Sequence, residues 1–206
     1  MKPVSHTARL APVAFLFAAF LPSAGVGAQS SEASDSVIIE NGEGSGQAGR
    51  LAINIAAGTL NQQASSVVLA QGQIASTSES LVQHSEAQDA SDRSTRIVIA
   101  DGAFSGHSGL ASINVTAGTG NQSANLASLA IGQEAALSDQ FLEQTRAPIE
   151  PSGGSGTTAS GPNDFVDIDD GAFARGSGVF QANLIGGERN SSANTFSLAV
   201  TAGGQP

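Results

Sequence analysis

Cysteine, tryptophan and tyrosine are absent from the 206 residues, and lysine and arginine together number only eight. Without cysteine no disulfide can brace the fold, and without large aromatic rings a thick globular core is hard to build. The formal net charge of −10 argues against nucleic acid and anionic membranes as partners, because both bind through positive charge. Gly, Ala, Ser, Asn and Gln dominate instead, which favours a regular array of small side chains.

The first 28 residues have the pattern of a secretory signal peptide. Lys2 and Arg9 precede a short apolar run, Leu10–Leu21, and Val26-Gly27-Ala28 forms a small-residue cleavage site. We therefore predict a signal peptide over residues 1–28 and a secreted chain with no stable membrane insertion after cleavage. Removal of Lys2 and Arg9 leaves six arginines against 18 acidic residues, a charge of −12.

Three repeats account for most of the remaining sequence. Residues 37–73 align without a gap with residues 97–133 at an offset of 60, with 17 of 37 positions identical. Residues 166–200 align with the second repeat at an offset of 69, with 16 of 35 positions identical. Repetition of this kind indicates a stack in which each unit buries its apolar face against its neighbours.

Each repeat has the pattern strand, arc, strand, turn, strand. A β-branched or aromatic run is closed by an Asx-Gly pair, and an alternating strand ends at a second glycine. The sequence thus predicts an all-β fold of stacked β-arc, β-solenoid-like (cross-β) layers. The predicted repeat turns contain Gly42, Gly102, Gly171, Gly58, Gly118 and Gly187.

In-register stacking would align two sets of asparagines along the axis. Identical side chains would then lie roughly 4.8 Å apart, and each amide could both donate and accept along the stack. For the second set, turn capping is an equally good interpretation, and the two roles are compatible. The predicted assembly ladders are Asn54, Asn114 and Asn183, and Asn61, Asn121 and Asn190.

The segments outside the repeats are more polar. We predict a polar lead-in at residues 29–36, linkers at 74–96 and 134–165, and a tail at 201–206. Within the second linker, Leu137, Phe141 and Leu142 are spaced as in an amphipathic helix, which predicts a short helix over Glu134–Arg146. The stretch Ser152–Pro162 has the composition of a flexible linker.

Few residues suggest chemistry. The acidic cluster Asp164, Asp167, Asp169 and Asp170 resembles the oxygen ligands of a calcium loop, but its spacing fits neither an EF-hand nor a nonapeptide repeat. His84 and His107 have no metal-ligand or triad spacing, so we expect both at the surface. We predict no enzyme activity, no cofactor and no metal site.

The stretches INIAAGTLNQQAS and INVTAGTGNQSAN resemble the core motif of the Fap functional-amyloid fibre subunits of Gram-negative bacteria. The resemblance covers the three repeats and the layout of repeats and linkers. It implies passage through the periplasm, export by an outer-membrane exporter, and assembly with itself and related subunits into extracellular or cell-surface fibres that support biofilm or attachment. Fap subunits carry a Cys-x-x-Cys motif that this chain lacks, which suggests a divergent or accessory member.

Two other functions remain compatible with the residues. One is a monomeric β-solenoid adhesin that presents a binding face at the cell surface. The other is a calcium-binding secreted repeat protein, based on the acidic residues between Asp164 and Asp170.

Overall fold

The computed structural model describes residues 34–86, 93–136, 139–147 and 163–201, which form strands joined by arcs and turns. The predicted signal peptide, the stretch 152–162 and the residues after 201 lie outside the described residues. Among the described residues no helix has the length and apolar composition needed to span a bilayer.

The strands fall into three sets, which we call layers 1, 2 and 3. Layer 1 contains β1 (Ser34–Ile39), β2 (Ala48–Thr59), β3 (Gln62–Ala75) and β4 (Ser78–Ser85). Layer 2 contains β5 (Ser94–Ile99), β6 (Ser108–Thr119), β7 (Gln122–Ala135) and β8 (Asp139–Arg146). Layer 3 contains β9 (Asp164–Ile168), β10 (Ser177–Ile185) and β11 (Ser191–Thr201).

Every strand pairs with its counterpart in an adjacent layer, and all pairs are parallel. Sheet A has the order β1-β5-β9, sheet B β2-β6-β10 and sheet C β3-β7-β11, while sheet D consists of β4 and β8. Layer 2 is therefore the middle layer. This arrangement confirms the predicted all-β, stacked, solenoid-like fold, and the register of sheets A, B and C follows the repeat offsets of 60 and 69: Asn54 pairs with Asn114, and Asn114 with Asn183.

The predicted helix over Glu134–Arg146 is wrong. Strand β7 runs through Ala135, and Asp139–Arg146 is strand β8, parallel to β4. The helical spacing depended on a few apolar residues, whereas the same stretch also alternates as a strand. Its partner lies in the other predicted linker, so a continuous ladder satisfies the backbone hydrogen-bonding groups.

Strands also occupy other parts of the predicted connecting segments. Strand β4 lies wholly within residues 74–96, β5 begins at Ser94, and β1 begins at Ser34 within the predicted lead-in. The β4–β8 register pairs Ser78 with Asp139, an offset of 61 instead of 60. This one-residue shift, together with low identity, conceals a fourth strand shared by the first two layers.

The apolar core lies between sheets A and B. Alternating residues of β1 and β5 meet the inward face of β6, because successive side chains of a strand point to opposite faces. The buried members of this cluster are Val37, Ile39, Ile97, Ile99, Ala103, Phe104, Ile113, Val115 and Ala117. The spaces between sheets B and C and between sheets C and D are filled largely by polar side chains, as described next.

Candidate assembly surface

The first predicted asparagine set forms a continuous side-chain ladder between sheets B and C. Asn114 Nδ2 donates to Asn54 Oδ1 at 2.8 Å, and Asn183 Nδ2 donates to Asn114 Oδ1 at 2.9 Å. Asn114 is fully buried, so its amide finds its partners within the protein. The ladder runs in one direction, each amide donating toward layer 1, which gives the stack a defined polarity.

A second polar column, not expected from the sequence, faces this ladder from sheet C. Asn125 Nδ2 donates to Asn114 Oδ1 at 3.0 Å and to the Ile113 carbonyl at 3.1 Å, and Asn194 Nδ2 makes the same bonds one layer on. In layer 1 the position is occupied by Ser65, whose hydroxyl donates to Asn54 Oδ1 at 3.1 Å. The signal was available, because the aligned repeats carry Ser65, Asn125 and Asn194 at one position.

The second predicted asparagine set caps turns and also links the layers, but its side chains bond backbone groups and not one another. Asn61 Nδ2 donates to the Ala57 carbonyl of its own turn at 3.0 Å and to the Gly118 carbonyl of the next layer at 2.9 Å. Asn61 Oδ1 accepts the backbone N–H of Asn121 at 3.0 Å, and Asn121 Oδ1 accepts that of Asn190 at 2.8 Å. These residues thus close their turns and join the layers through backbone groups, without side-chain pairing along the stack.

Glutamines join sheet D to sheet C and were missed in the sequence. Gln144 Nε2 donates to Gln83 Oε1 at 2.7 Å, and Gln83 Nε2 donates to the Ser123 carbonyl at 3.2 Å. Gln122 Nε2 donates to Gln62 Oε1 at 3.2 Å. Polar ladders therefore fill this interface as well, which explains how small and amide side chains replace an apolar core.

The second set of predicted turn glycines lies near the ends of strands, with Gly58 within β2, Gly118 within β6 and Gly187 just after β10, and close backbone approach requires glycine there. Gly58, Gly118 and Gly187 all have positive φ, of 97°, 116° and 88°. A Cβ on Gly58 would overlap the Gly118 carbonyl oxygen, and a Cβ on Gly118 would overlap that of Gly187. No side chain can be accommodated where the next layer packs in this way.

The first set of turn glycines is less uniform. Gly42 and Gly102 have φ near +70°, but Gly171 does not adopt positive φ, and a Cβ there would overlap the Asp101 carboxylate. In the arc that follows, Phe104 and Phe173 have positive φ, of 56° and 59°. These two rings stack with centroids 5.5 Å apart, and the ring of Phe104 fills the space above Gly44, where a Cβ would lie 2.7 Å from it.

A further glycine column, Gly49, Gly109 and Gly178, points in the opposite direction along the stack. A Cβ on Gly178 would overlap the Gly109 carbonyl oxygen, and a Cβ on Gly109 would overlap that of Gly49. Gly49 itself has a φ of 92°, but nothing lies within 4 Å of its Cβ position. In layers 2 and 3 this glycine packs against a carbonyl oxygen of the preceding layer. At Gly49, which faces outward from layer 1, no such carbonyl lies within the chain.

Acidic residues lie toward the two ends of sheet A. In layer 1, Asp35 accepts two hydrogen bonds from Arg93, at 2.8 and 3.0 Å. In layer 3, Asp164 accepts the Thr95 hydroxyl at 2.6 Å, and Asp169 accepts the Gly171 N–H at 3.1 Å. Among the described residues, no group of three or more His, Cys, Asp or Glu side chains is arranged to hold a metal ion.

The two histidines have different environments. His84 is exposed, with Nδ1 2.9 Å from the Thr145 hydroxyl. His107 was expected at the surface but is buried, because the arc folds over it beside the stacked rings of Phe104 and Phe173. Neither has a geometry that suggests catalysis.

The outer layers are more exposed than the middle layer. Residues 111–128 of layer 2 are all buried, whereas the same register positions of layer 1 are exposed or half-buried. Asn54, for example, is exposed although its partner Asn114 is fully buried. Layers 1 and 3 thus present outward surfaces whose side chains have the same pattern as the surfaces already paired inside the chain.

Comparison with known proteins gives one informative result. The family model of the functional amyloid protein FapB/FapC family matches residues 22–201, which is most of the chain. No solved structure matches it.

Proposed function

The chain belongs to the functional amyloid protein FapB/FapC family, and from this premise we propose that it is a fibre subunit that assembles by stacking layer 3 of one copy on layer 1 of the next. The family is one of structural amyloid proteins and not an enzyme family. We further propose that the chain has no catalytic activity, that it is secreted through the periplasm by an outer-membrane exporter, and that its fibres support biofilm or surface attachment together with related subunits.

The observation that carries this proposal is the match between the internal and the outward surfaces. Layer 2 makes its contacts through one register with layer 1 and an equivalent register with layer 3. Extension of that register places Asn183 of one copy against Asn54 of the next. The parallel backbone ladder, the asparagine ladders and the small apolar residues would then continue from chain to chain.

The glycine columns support a head-to-tail direction for this stacking. The Cβ direction of Gly49 points out of layer 1, and a preceding layer 3 would place the Gly178 carbonyl there. Correspondingly, Gly187 at the outer side of layer 3 would meet the carbonyl of Gly58 in the next copy. A head-to-head arrangement would bring neither pair together. Within the chain nothing lies within 4 Å of the Gly49 Cβ position, so this glycine meets a carbonyl only when another copy is present, whereas a Cβ on Gly187 would already lie 2.8 Å from Asp164 Oδ2.

The experiment compares Gly49→Ala with Gly46→Ala. Both glycines lie in layer 1, have positive φ (92° and 66°) and have nothing within 4 Å of the Cβ position. Alanine at either site costs the isolated chain about 1–2 kcal/mol. The counterparts differ, because a Cβ at Gly109 would overlap the carbonyl below it, whereas one at Gly106 would make ordinary contacts at 3.9 Å with Gly46.

We expect both the wild type and Gly46→Ala to form fibres with a meridional reflection at roughly 4.7 Å. Gly49→Ala should remain soluble or grow far more slowly. Equal growth of the two variants would contradict the head-to-tail junction. A wild-type chain that stays monomeric over weeks in varied salt and pH would support a monomeric adhesin instead.

A further inference from the structure

Arg50 occupies a position where the other layers carry apolar residues. In sheet B it pairs in register with Leu110, and Leu110 pairs with Val179. This column faces Leu69, Leu129 and Leu198 of sheet C across an apolar groove of about 390 Å³, in which Arg50 is the charged lining residue. Packing of the groove does not explain an arginine here, since a leucine fits the same position one layer away.

The guanidinium of Arg50 makes a specific contact elsewhere. Its Nη2 donates to the backbone carbonyl of Ser65 at 3.1 Å, joining β2 to β3 within layer 1. Leu110 and Val179 have no hydrogen-bond donor in their side chains, so neither can make the equivalent contact. Of the three layers, only layer 1 can therefore make this bond.

The Ser65 carbonyl that accepts this hydrogen bond points away from layer 2. The backbone N–H of Gln62 points into the stack, because it donates to the Asn121 carbonyl of layer 2 at 2.8 Å. Backbone groups of successive residues in a strand point to alternate sides. Ser65, three residues later, therefore directs its carbonyl away from layer 2, along the open edge of β3.

We propose that Arg50 is a gate on the layer 1 edge, which caps the Ser65 carbonyl until a second copy of this chain displaces it. The inference rests on the proposed head-to-tail stacking, in which Ser65 lies opposite Asn194 of the second copy, as the register Ser65–Asn125–Asn194 requires. The open carbonyl must then accept a backbone N–H from β11 of that copy. The guanidinium already donates to this acceptor. It also places a positive charge on an edge strand, a recognised means of slowing edge-to-edge pairing.

Displacement leaves the Arg50 side chain beside Val179 of the second copy, an apolar neighbour. Loss of the capping bond and desolvation of the guanidinium both oppose the junction. At a junction between copies the carbonyl edge that the neighbouring layer approaches carries Arg50, whereas at the two junctions inside the chain the corresponding residue is Leu110 or Val179. Layers of one chain thus stack freely, and layers of different chains stack against a barrier.

The test is seeded fibre growth of Arg50→Gln and Arg50→Leu, with Arg96→Gln as the matched control. Arg96 lies in the middle layer, with its guanidinium carbon 4.9 Å from the centroid of the Phe165 ring, away from the layer 1 edge. All three variants remove one positive charge from an acidic chain. A net-charge effect alone would therefore slow all three, because self-repulsion increases.

We expect both Arg50 variants to elongate about fivefold faster than the wild type, the ratio that corresponds to roughly 1 kcal/mol. The Arg96 variant should elongate at the wild-type rate or more slowly. Circular dichroism of each soluble chain and the spacing of each fibre confirm that folded, layered species are compared. Glutamine removes the charge and shortens the side chain without adding apolar surface, which separates these effects from the hydrophobicity that leucine adds.

If the wild type forms fibres and the Arg50 variants grow at or below its rate, the gate is overturned, whereas the proposed fibre function stays intact. Faster growth of the leucine variant alone would also overturn the gate, because added hydrophobicity would then be the cause. If no variant and no wild-type chain forms layered fibres, both proposals fail together.

Discussion

Asn114 donates to the side-chain oxygen of Asn54 at 2.8 Å, while its own side-chain oxygen accepts from Asn183 at 2.9 Å. One amide thus connects all three layers from a fully buried position. The same residue type in the same register has unequal surroundings, because Asn54 lies in an outer layer and is exposed. Position in the stack, and not residue identity, determines how much each asparagine stabilises the fold.

We therefore expect Asn114→Leu to lower the free energy of unfolding by about 1–3 kcal/mol, since donors on Asn183 and Asn125 lose a buried acceptor. Asn54→Leu should cost less, because water can replace the lost partner. Urea unfolding of the soluble chains measures the difference. Equal midpoints for the two variants would mean that the ladder does not stabilise the chain.

Gly118 and Gly120 provide a matched pair for the close approach of layers 2 and 3. Both have positive φ, but a Cβ on Gly118 would overlap the Gly187 carbonyl, whereas one on Gly120 would lie 3.6 Å from the Arg189 side chain. Gly120→Ala should cost about 1–2 kcal/mol from the backbone conformation alone. Gly118→Ala should cost clearly more and expose β10 and β11 to proteolysis. A similar loss of stability in both variants would contradict the steric argument.

Bulky charges within the layers should also slow assembly. We expect Asn114→Lys and Gly118→Lys to lengthen the lag before fibres appear, because each places a large cation where a neighbouring layer packs. The control is Ser155→Lys, which adds the same charge within the predicted linker 152–162. Equal delays for all three variants would assign the effect to net charge and not to the layer contacts.

The repeats made the fold predictable. Identical residues at fixed offsets, such as Asn54, Asn114 and Asn183, determined the register, and the structure pairs these residues as the alignment does. Alternation along β2 and the glycine near its end indicated strands and turns. Because the layers are copies of one another, residues that align between repeats are the residues that pair between layers.

What the sequence did not reveal depends on contacts between unlike segments. Strand β8 was predicted as a helix because its partner β4 lies outside the recognised repeats. The two strands pair at an offset of 61 residues and share few identical residues. Gln83 and Gln144 therefore appeared to be linker residues, although they bond along sheet D. The direction of the glycine column at Gly49 could not be inferred either, since only the backbone geometry shows on which side a Cβ would clash.

The ion pair between Asp35 and Arg93 connects layer 1 to the residue that precedes β5. Arg93 donates to both carboxylate oxygens of Asp35, which is buried. We expect Asp35→Asn to destabilise the chain by about 1–3 kcal/mol, because hydrogen bonds to a charged group are lost and Arg93 keeps an unpaired charge. The comparison is Glu143→Gln, which removes one negative charge on β8. Comparable unfolding midpoints for both variants would show that the pair contributes nothing beyond net charge.

Salt should accelerate assembly, because head-to-tail stacking brings like charges together. In-register stacking places Asp164 of one copy opposite Asp35 of the next, and Asp169 opposite Glu40, according to the register of sheet A and the residues that follow it. Layers roughly 4.8 Å apart lie well inside the screening length of about 10 Å at 0.1 M salt, which falls to about 3 Å at 1 M. We therefore expect the seeded elongation rate to rise with salt, and also to rise at lower pH because the net negative charge of the whole chain falls. Asp164→Asn should reduce the dependence on salt, whereas Glu143→Gln, the same charge change away from the junction, should not. Elongation that is insensitive to both salt and pH would contradict this account of the junction.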